Sequence, residues 1–388
     1  MFELLPKSKQ KNSKNGTQIT IFYHRDPTDL HRGQGVYLSN LYRTLSHRFS
    51  TKIVGANNQI QRENSRVQWN FITNILSSSF NAVRHFLSDR NIYTGGFNNI
   101  FIGEDIYISP VVIILSKISR SLFIYRASDF GISYRENISK NFKFSRLISF
   151  VMCNVENFVK NSADYIIVPS LKVKEDFRKN GVNQSKIFYF PYTVNLKNPD
   201  ENLIHQFITR FGLGGKMTVV FVGPMDYPPN LKSVFKIMEI AQDLKSLAPN
   251  IEFLIVGRGT DWFNYKYTSL DNVIFLGEIE DLDTLLYSCC VGIAPVLTPG
   301  GLSIKIVDYL VHGLKVVTTP EGAYGIPDNN QMIVTPIEHF KHKLIELSKE
   351  SLENIKKSVA IPDLLKQHYL SGFYIEKFTE ELEKILLE

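Results

Sequence analysis

Residues 295–325 read Pro-Val-Leu-Thr-Pro-Gly-Gly-Leu-Ser-Ile-Lys-Ile-Val-Asp-Tyr-Leu-Val-His-Gly-Leu-Lys-Val-Val-Thr-Thr-Pro-Glu-Gly-Ala-Tyr-Gly, and their order decides the fold. An apolar strand over 291–296 runs into a turn at Pro299-Gly300-Gly301. An amphipathic helix is expected over 303–311, Gly313 ends it, and a second apolar strand follows over 315–319. Strand, helix, strand with buried-type strands is the unit of a parallel sheet. Glycines ahead of a helix bring bare backbone N–H groups toward a ligand and suit an anion such as a phosphate. Lys305 adds a full positive charge on the first turn. Asp308, three residues on, shares its face and offers an acceptor to sugar hydroxyls. A cation for phosphate beside an acceptor for hydroxyls reads as a nucleotide-sugar site.

Outward from this stretch the pattern repeats. Further strands are expected at 217–222, 252–256 and 273–276, with helices at 230–247 and 282–289. The first half gives strands at 19–23, 52–55, 67–71, 122–126, 165–169 and 186–190, and helices at 36–48, 139–162 and 172–180. A chain of 388 residues exceeds the size at which one core usually keeps growing. Periodicity stops between Pro191 and Pro199, which puts a domain boundary near 198. The expected architecture is α/β: two facing doubly wound Rossmann-like domains, 1–197 on the acceptor side and 198–365 on the nucleotide-sugar side. Residues 366–388 supply a C-terminal helix, with Ile375, Phe378, Leu382 and Ile385 on its apolar face, returning to the first domain.

The net charge of +6 hides an asymmetry. Residues 1–200 hold 27 basic and 14 acidic side chains, a balance of +13, whereas 201–388 hold 17 and 24, a balance of −7. The basic residues are scattered and form no nucleic-acid motif, so an anionic bilayer surface is the better partner for the first half, with a merely solvated basic surface as the plain alternative. The three cysteines form no disulfide framework or metal spacing and fit a reducing compartment. The start of the chain lacks a secretory signal, and the most apolar stretch, 107–115, is too short to span. The expected location is cytoplasmic, peripheral on the inner face of the plasma membrane.

Other loops carry weaker signals. Phe221-Val-Gly-Pro-Met-Asp-Tyr-Pro-Pro-Asn230 places Gly223 at a strand end and Asn230 as a cap before a helix. Val256-Gly-Arg-Gly259 lacks the remainder of a dinucleotide fingerprint, and Arg258 either faces the ligand or caps its loop. Gly277 exposes the backbone of Glu278 and Ile279 for pairing with a base edge. Asp281 and Asp283 match an Asp-x-Asp metal motif, but they begin a helix, where carboxylates cap and complement the dipole. In the first domain, Gly33-Gln34-Gly35 again offers N–H groups at a helix start, or is simply a glycine-containing loop. Asp129, just past a strand end, is placed to accept a proton from an attacking hydroxyl, with a structural ion pair to Arg126 as the rival; Glu104, Asp105 and His24 are lesser candidates.

Taken together, Gly223-Pro224, Tyr227-Pro-Pro-Asn230, Val256-Gly-Arg-Gly259, Gly277, Ala294-Pro295, Gly300-Gly301 with Lys305 and Asp308, and Gly313 with Val316-Val317 and Glu321-Gly322 resemble the GT-B glycosyltransferases, in particular the large bacterial retaining family with a glycosyl-transferase-1-type C-terminal domain. The first half matches only loosely, through Gly33-x-Gly35 and Asp164 with Pro169-Ser170. The resemblance implies that Gly300, Gly301, Leu302 and Ser303 form the donor diphosphate loop, that Lys305 holds the diphosphate, and that Asp308 takes the place of a ribose-binding glutamate. It implies a UDP- or GDP-sugar donor, no cofactor and no metal, and a glycan or lipid-linked acceptor in cell-surface polysaccharide synthesis. Two departures matter. The Arg and Lys usual in the loop after the first strand of this domain are missing from 224–230, and Gly300 replaces the family's first glutamate. Lys305 together with Asp129 also resembles the inverting glucuronosyltransferases of xanthan-type synthesis, in which a strand-end aspartate is the base. Rival readings are an inactive sugar-nucleotide-binding subunit and a nucleotide-sugar epimerase of the same architecture, the latter lacking the carboxylates and histidines it would need.

Overall fold

Apolar runs of four to six residues, bounded by glycine or polar turns, pair side by side in two parallel sheets. The computed structural model describes residues 17–24, 33–56, 67–88, 99–128, 145–260, 270–298, 301–357, 361–370 and 372–387. The chain divides into two compact units, Met1–Tyr192 with Phe373–Glu388, and Thr193–Gly372.

In the first unit, β1 (Gln18–Phe22), α1 (Gly33–Ser46), β2 (Ser50–Val54), α2 (Val67–Ser88), β3 (Asn99–Glu104), α3 (Asp105–Ser119), β4 (Leu122–Arg126), α4 (Ser145–Ser162), β5 (Tyr165–Val168), α5 (Leu171–Lys179) and β6 (Ile187–Tyr189) follow one another. The strands lie in the order β2-β1-β3-β4-β5-β6, all parallel, so the order reverses between β1 and β3. Two expectations fail here. Residues 67–71 are not a strand but the first turn and more of α2. Their short alternation also fits a helix, and the apolar spacing that continues through Ile75, Leu76, Phe80, Val83 and Leu87 decides for it. The strand β3 and the helix α3 were not foreseen as such. No glycine or proline marks the turn between them, because Asp105 itself adopts the left-handed conformation, with φ 67°.

The second unit runs α6 (Glu201–Arg210), β7 (Met217–Val222), α7 (Pro228–Leu247), β8 (Ile251–Val256), β9 (Val273–Gly277), α8 (Leu282–Ser288), β10 (Val291–Ala294), α9 (Ile304–Val311), β11 (Lys315–Thr318), β12 (Met332–Val334), α10 (Phe340–Ser348), α11 (Leu352–Lys357) and α12 (Asp363–Tyr369). Its parallel strands lie in the order β12-β11-β10-β7-β8-β9, and the reversal falls between β7 and β10. Met217, Val219, Phe221, Phe253, Ile255, Val291 and Ile293 are fully buried, which is why these strands read as unbroken apolar runs.

The unit boundary lies at 192/193, not near 198, and residues 366–372 stay with the second unit. Hydrogen bonds explain both shifts. The Val194 amide donates to the Tyr369 carbonyl (2.8 Å), and the Tyr287 hydroxyl donates to the Lys197 carbonyl (3.0 Å). Only α13 (Phe373–Leu387) returns to the first unit. There Phe378 packs edge-on against Phe188 and Phe190, with centroids 5.7 and 5.0 Å away, and Leu382 is fully buried.

Candidate functional site

Ligands of open α/β sheets sit beyond the carboxyl ends of strands where the strand order reverses. In the second unit that point lies between the ends of β7 and β10, and the sequence fills it with Phe221, Gly223, Asn230 and Lys305. The Lys305 Nζ donates to Asn230 Oδ1 (2.7 Å) and stands 3.9 Å from the centroid of the Phe221 ring. Asn230 is held in turn by donating Nδ2 to the Pro224 carbonyl (3.0 Å). Both partners of the ammonium are neutral. Removal from water, with no compensating carboxylate, lowers the Lys305 pKa from 10.5 to about 7. Burying an ammonium without a counter-charge is costly, and a ligand anion is the simplest compensation.

The neighbours of Lys305 are fixed firmly. The Val222 amide donates to the Tyr309 hydroxyl (2.7 Å), Ser233 Oγ donates to the Pro295 carbonyl (2.8 Å), and Thr319 Oγ1 donates to the Val296 carbonyl (2.6 Å). Burial raises the Tyr309 pKa and keeps it a neutral phenol. The loops after β7 and β8 press together so closely that a Cβ on Gly257 would lie 2.2 Å from the Gly223 carbonyl oxygen. The helix α9 starts at Ser303, whose side chain makes no capping bond, so its first-turn N–H groups are not claimed by that hydroxyl. Gly301 precedes it, buried and with φ 73°, and Leu302 and Ser303 are half-buried. Asp308 is half-buried one turn after Lys305. At the far end of α9, His312 is buried, its Nδ1 2.7 Å from the Asp308 carbonyl and its Nε2 2.9 Å from Asp283 Oδ1. This ties α9 to α8.

Several expected residues find other employment. The Gly223 amide donates to the Val256 carbonyl (2.9 Å) and the Gly277 amide to Thr260 Oγ1 (2.9 Å), so both glycines serve loop packing through those groups. Asn230 is not the cap of α7; Tyr227 occupies that position, and Asn230 lies in the first turn, where its amide reaches Lys305. Arg258 pairs with Asp226 (2.8 Å) at an exposed position and links two loops. Glu278 is exposed and Ile279 half-buried, directly after β9. Asp281 caps α8, accepting from Thr284 Oγ1 (2.6 Å) and Thr284 N (3.4 Å), while Asp283 is taken by His312. Gly300 and Asp129 lie outside the described residues.

The first unit has its own cluster at the point where its strand order reverses. Glu104, at the end of β3, forms a buried ion pair with Arg126, at the end of β4. Arg126 thus pairs with Glu104, across two adjacent strands. Its guanidinium also lies 4.0 Å from the centroid of Tyr37, whose hydroxyl donates to the Phe190 carbonyl. Burial alone would lower the Arg126 pKa, but Glu104, Tyr37 and Asp105 hold it above the ordinary value. Ser128 donates to Asp105 Oδ2 (3.1 Å), and the His24 ring lies 5.1 Å from that of Tyr107. Gly33, Gln34 and Gly35 fall within the first turn of α1 rather than in a loop ahead of it.

Comparisons with known proteins bear on the fold and on residues 216–350. Residues 216–350 match the family model for glycosyl transferases group 1. No curated protein matches the chain in sequence. Among solved structures, Anabaena HepE, crystallised with UDP, superposes with a TM-score of 0.66 at 15% identity, covering 95% of this chain and 100% of that one. Sucrose-phosphate synthase from Thermosynechococcus elongatus gives 0.70 at 14% identity over 96% and 99%. WaaG, a glycosyltransferase involved in lipopolysaccharide biosynthesis, gives 0.61 at 16% identity over 93% and 98%. At such identities the likeness establishes the fold, two parallel-stranded α/β units of the GT-B kind. The match to glycosyl transferases group 1 spans residues 216–350, a stretch that takes in Lys305 and its neighbours.

Proposed function

We propose that this chain is a metal-independent GT-B glycosyltransferase that moves a hexose-type sugar from a UDP- or GDP-sugar to a hydroxyl of a glycan or lipid-linked acceptor, in bacterial cell-surface polysaccharide synthesis at the inner face of the plasma membrane. One observation carries the reading: Lys305 is held at the reversal point of the second sheet by a neutral amide and an aromatic ring, with no carboxylate partner among the described residues. HepE, a structural neighbour, has been crystallised with UDP-glucose, which supports a nucleotide sugar as the ligand here. The metal-independent reading is supported by Asp281 and Asp283, both engaged by protein groups.

As the glycosidic bond breaks, negative charge grows on the departing diphosphate. In this reading Lys305 and the N–H groups of Gly301, Leu302 and Ser303 meet that charge. Preorganised donors of this kind are worth about 3–4 kcal/mol each in the transition state. Asp308 accepts ribose hydroxyls, and Glu278 and Ile279 present backbone to the base. If the reaction inverts, Asp129 takes the acceptor proton as the new bond forms. Transfer assays with a panel of UDP- and GDP-sugars test the reading: Lys305→Ala is expected to lower turnover by at least about tenfold, and unchanged turnover would remove Lys305 from the mechanism. Slow release of free nucleotide by the wild-type protein distinguishes an enzyme from a binding subunit.

A further inference from the structure

The first unit presents an apolar face that none of its described residues covers. Along α2, Leu76, Phe80, Val83 and Leu87 recur at helical spacing and are exposed, Phe80 and Leu87 each at 67%. The helix α3 packs between α2 and α4. It adds Ile114 and Ile118, one turn apart and 59% and 61% exposed. The helix α4 adds Phe150, Val151 and Phe158. Three neighbouring helices thus leave large apolar side chains in water on the surface turned away from the sheet. Exposed apolar residues of the second unit, such as Leu203, Leu247, Leu297 and Val334, sit singly on separate elements, as scattered surface residues do.

The exposed charges among the described residues of the same helices are of one sign. Arg84 lies within the α2 stripe, Lys117 lies beside Ile118, and Arg120 follows the end of α3; all three are exposed. The two acidic residues among the described positions of these helices, Asp105 and Glu156, are both buried. Three basic residues of the first half therefore lie on, or just past the end of, the same helices as the apolar stripe. No helix among the described residues is long and apolar enough to cross a membrane. Apolar side chains rimmed by exposed cations on helices that do not span are the composition of an interfacial membrane contact.

We infer that the exposed face of α2, α3 and α4 docks on an anionic lipid bilayer, with Leu76, Phe80, Leu87, Ile114, Ile118 and Phe150 entering the headgroup boundary and Arg84, Lys117 and Arg120 meeting lipid phosphates. The inference deepens the membrane part of the proposed function and is independent of the donor site. It gives the lipid-linked acceptor a side of the molecule from which to arrive.

Co-sedimentation with vesicles tests it, using phosphatidylcholine alone and phosphatidylcholine mixed with phosphatidylglycerol, at low salt. The wild-type protein is expected to sediment with the mixed vesicles and to stay in solution with the neutral ones. Phe80→Ser/Leu87→Ser/Ile118→Ser is expected to lower partitioning by at least about tenfold, and Arg84→Glu/Lys117→Glu to do the same. All these positions are exposed, and an unchanged circular dichroism spectrum and thermal unfolding profile verify that each variant is folded. Equal recovery on neutral and anionic vesicles, or triple-serine partitioning equal to wild type, would overturn the inference. So would a wild-type dimer that the serine variant converts to monomer, since the face would then belong to a second copy of the chain. Failure to bind vesicles with UDP binding intact refutes the docking face alone; failure to bind any nucleotide with docking intact refutes the transferase reading alone.

Discussion

Lys305 Nζ lies 2.7 Å from Asn230 Oδ1, so the one cation at the reversal point of the second sheet, among the described residues, is oriented by a neutral amide rather than by a carboxylate. An amide positions the ammonium without neutralising it. The positive charge remains available for a ligand.

Exchange of that partner is the sharpest change available. Asn230→Asp supplies a carboxylate of the same shape, which pairs with Lys305 and repels a diphosphate. UDP affinity is expected to fall at least about tenfold, as for a close like-charge contact, while Asn230→Ala costs less. Isothermal titration with UDP distinguishes them, and equal affinities for wild type and Asn230→Asp would count against the orienting role.

Stability should move opposite to function at Lys305. Its folded-state pKa, about 7, lies below the ordinary 10.5. The folded state is therefore penalised in full below pH 7, and the penalty is relieved as pH rises from 7 toward 10.5. Lys305→Met removes the charge and keeps the stem. It is expected to stabilise the protein at pH 6 by on the order of 2–4 kcal/mol, with the gain shrinking above pH 8. Denaturant unfolding at the two pH values measures it; a variant less stable than wild type at pH 6 would contradict the reading of a half-buried ammonium with only neutral partners.

The Glu104–Arg126 pair obeys the reverse logic. Glu104→Gln leaves Arg126 charged and buried beneath Tyr37, and is expected to destabilise the first unit by about 3–5 kcal/mol. Glu104→Gln/Arg126→Met removes both charges and should recover part of that loss. A double-mutant cycle with no coupling between the positions would show that the pair contributes nothing to the fold.

The strands β7 to β11 were legible as apolar runs, several of them ending at glycine or proline, as at Val222-Gly223 and Ala294-Pro295, whereas the short, partly exposed β12 was not expected. Lys305 and its neighbourhood were legible for the same reason: glycine turn, helix start and cation fall within six residues. Asn230 was visible only as a helix-start residue, since its contact with Lys305 spans 75 positions. His312 and Asp283 were hidden likewise, 29 positions apart. In the first half, local signals misled. Residues 67–71 alternate like a strand, and Asp105 makes a strand-to-helix turn with a residue type that does not announce one. The apolar faces of α2, α3 and α4 could not be told from core faces by periodicity, which gives the spacing of a stripe but not what covers it.

The central claim is that Lys305 is the cation that receives the diphosphate, and proton uptake on UDP binding tests it most directly. At pH 8 an amine of pKa about 7 is mostly neutral, and contact with a diphosphate must charge it. Calorimetric titration with UDP at pH 8 in two buffers of different ionisation enthalpy should show uptake of roughly one proton by the wild-type protein and none by Lys305→Met. UDP binding with no proton uptake, or the same uptake in both proteins, would contradict it.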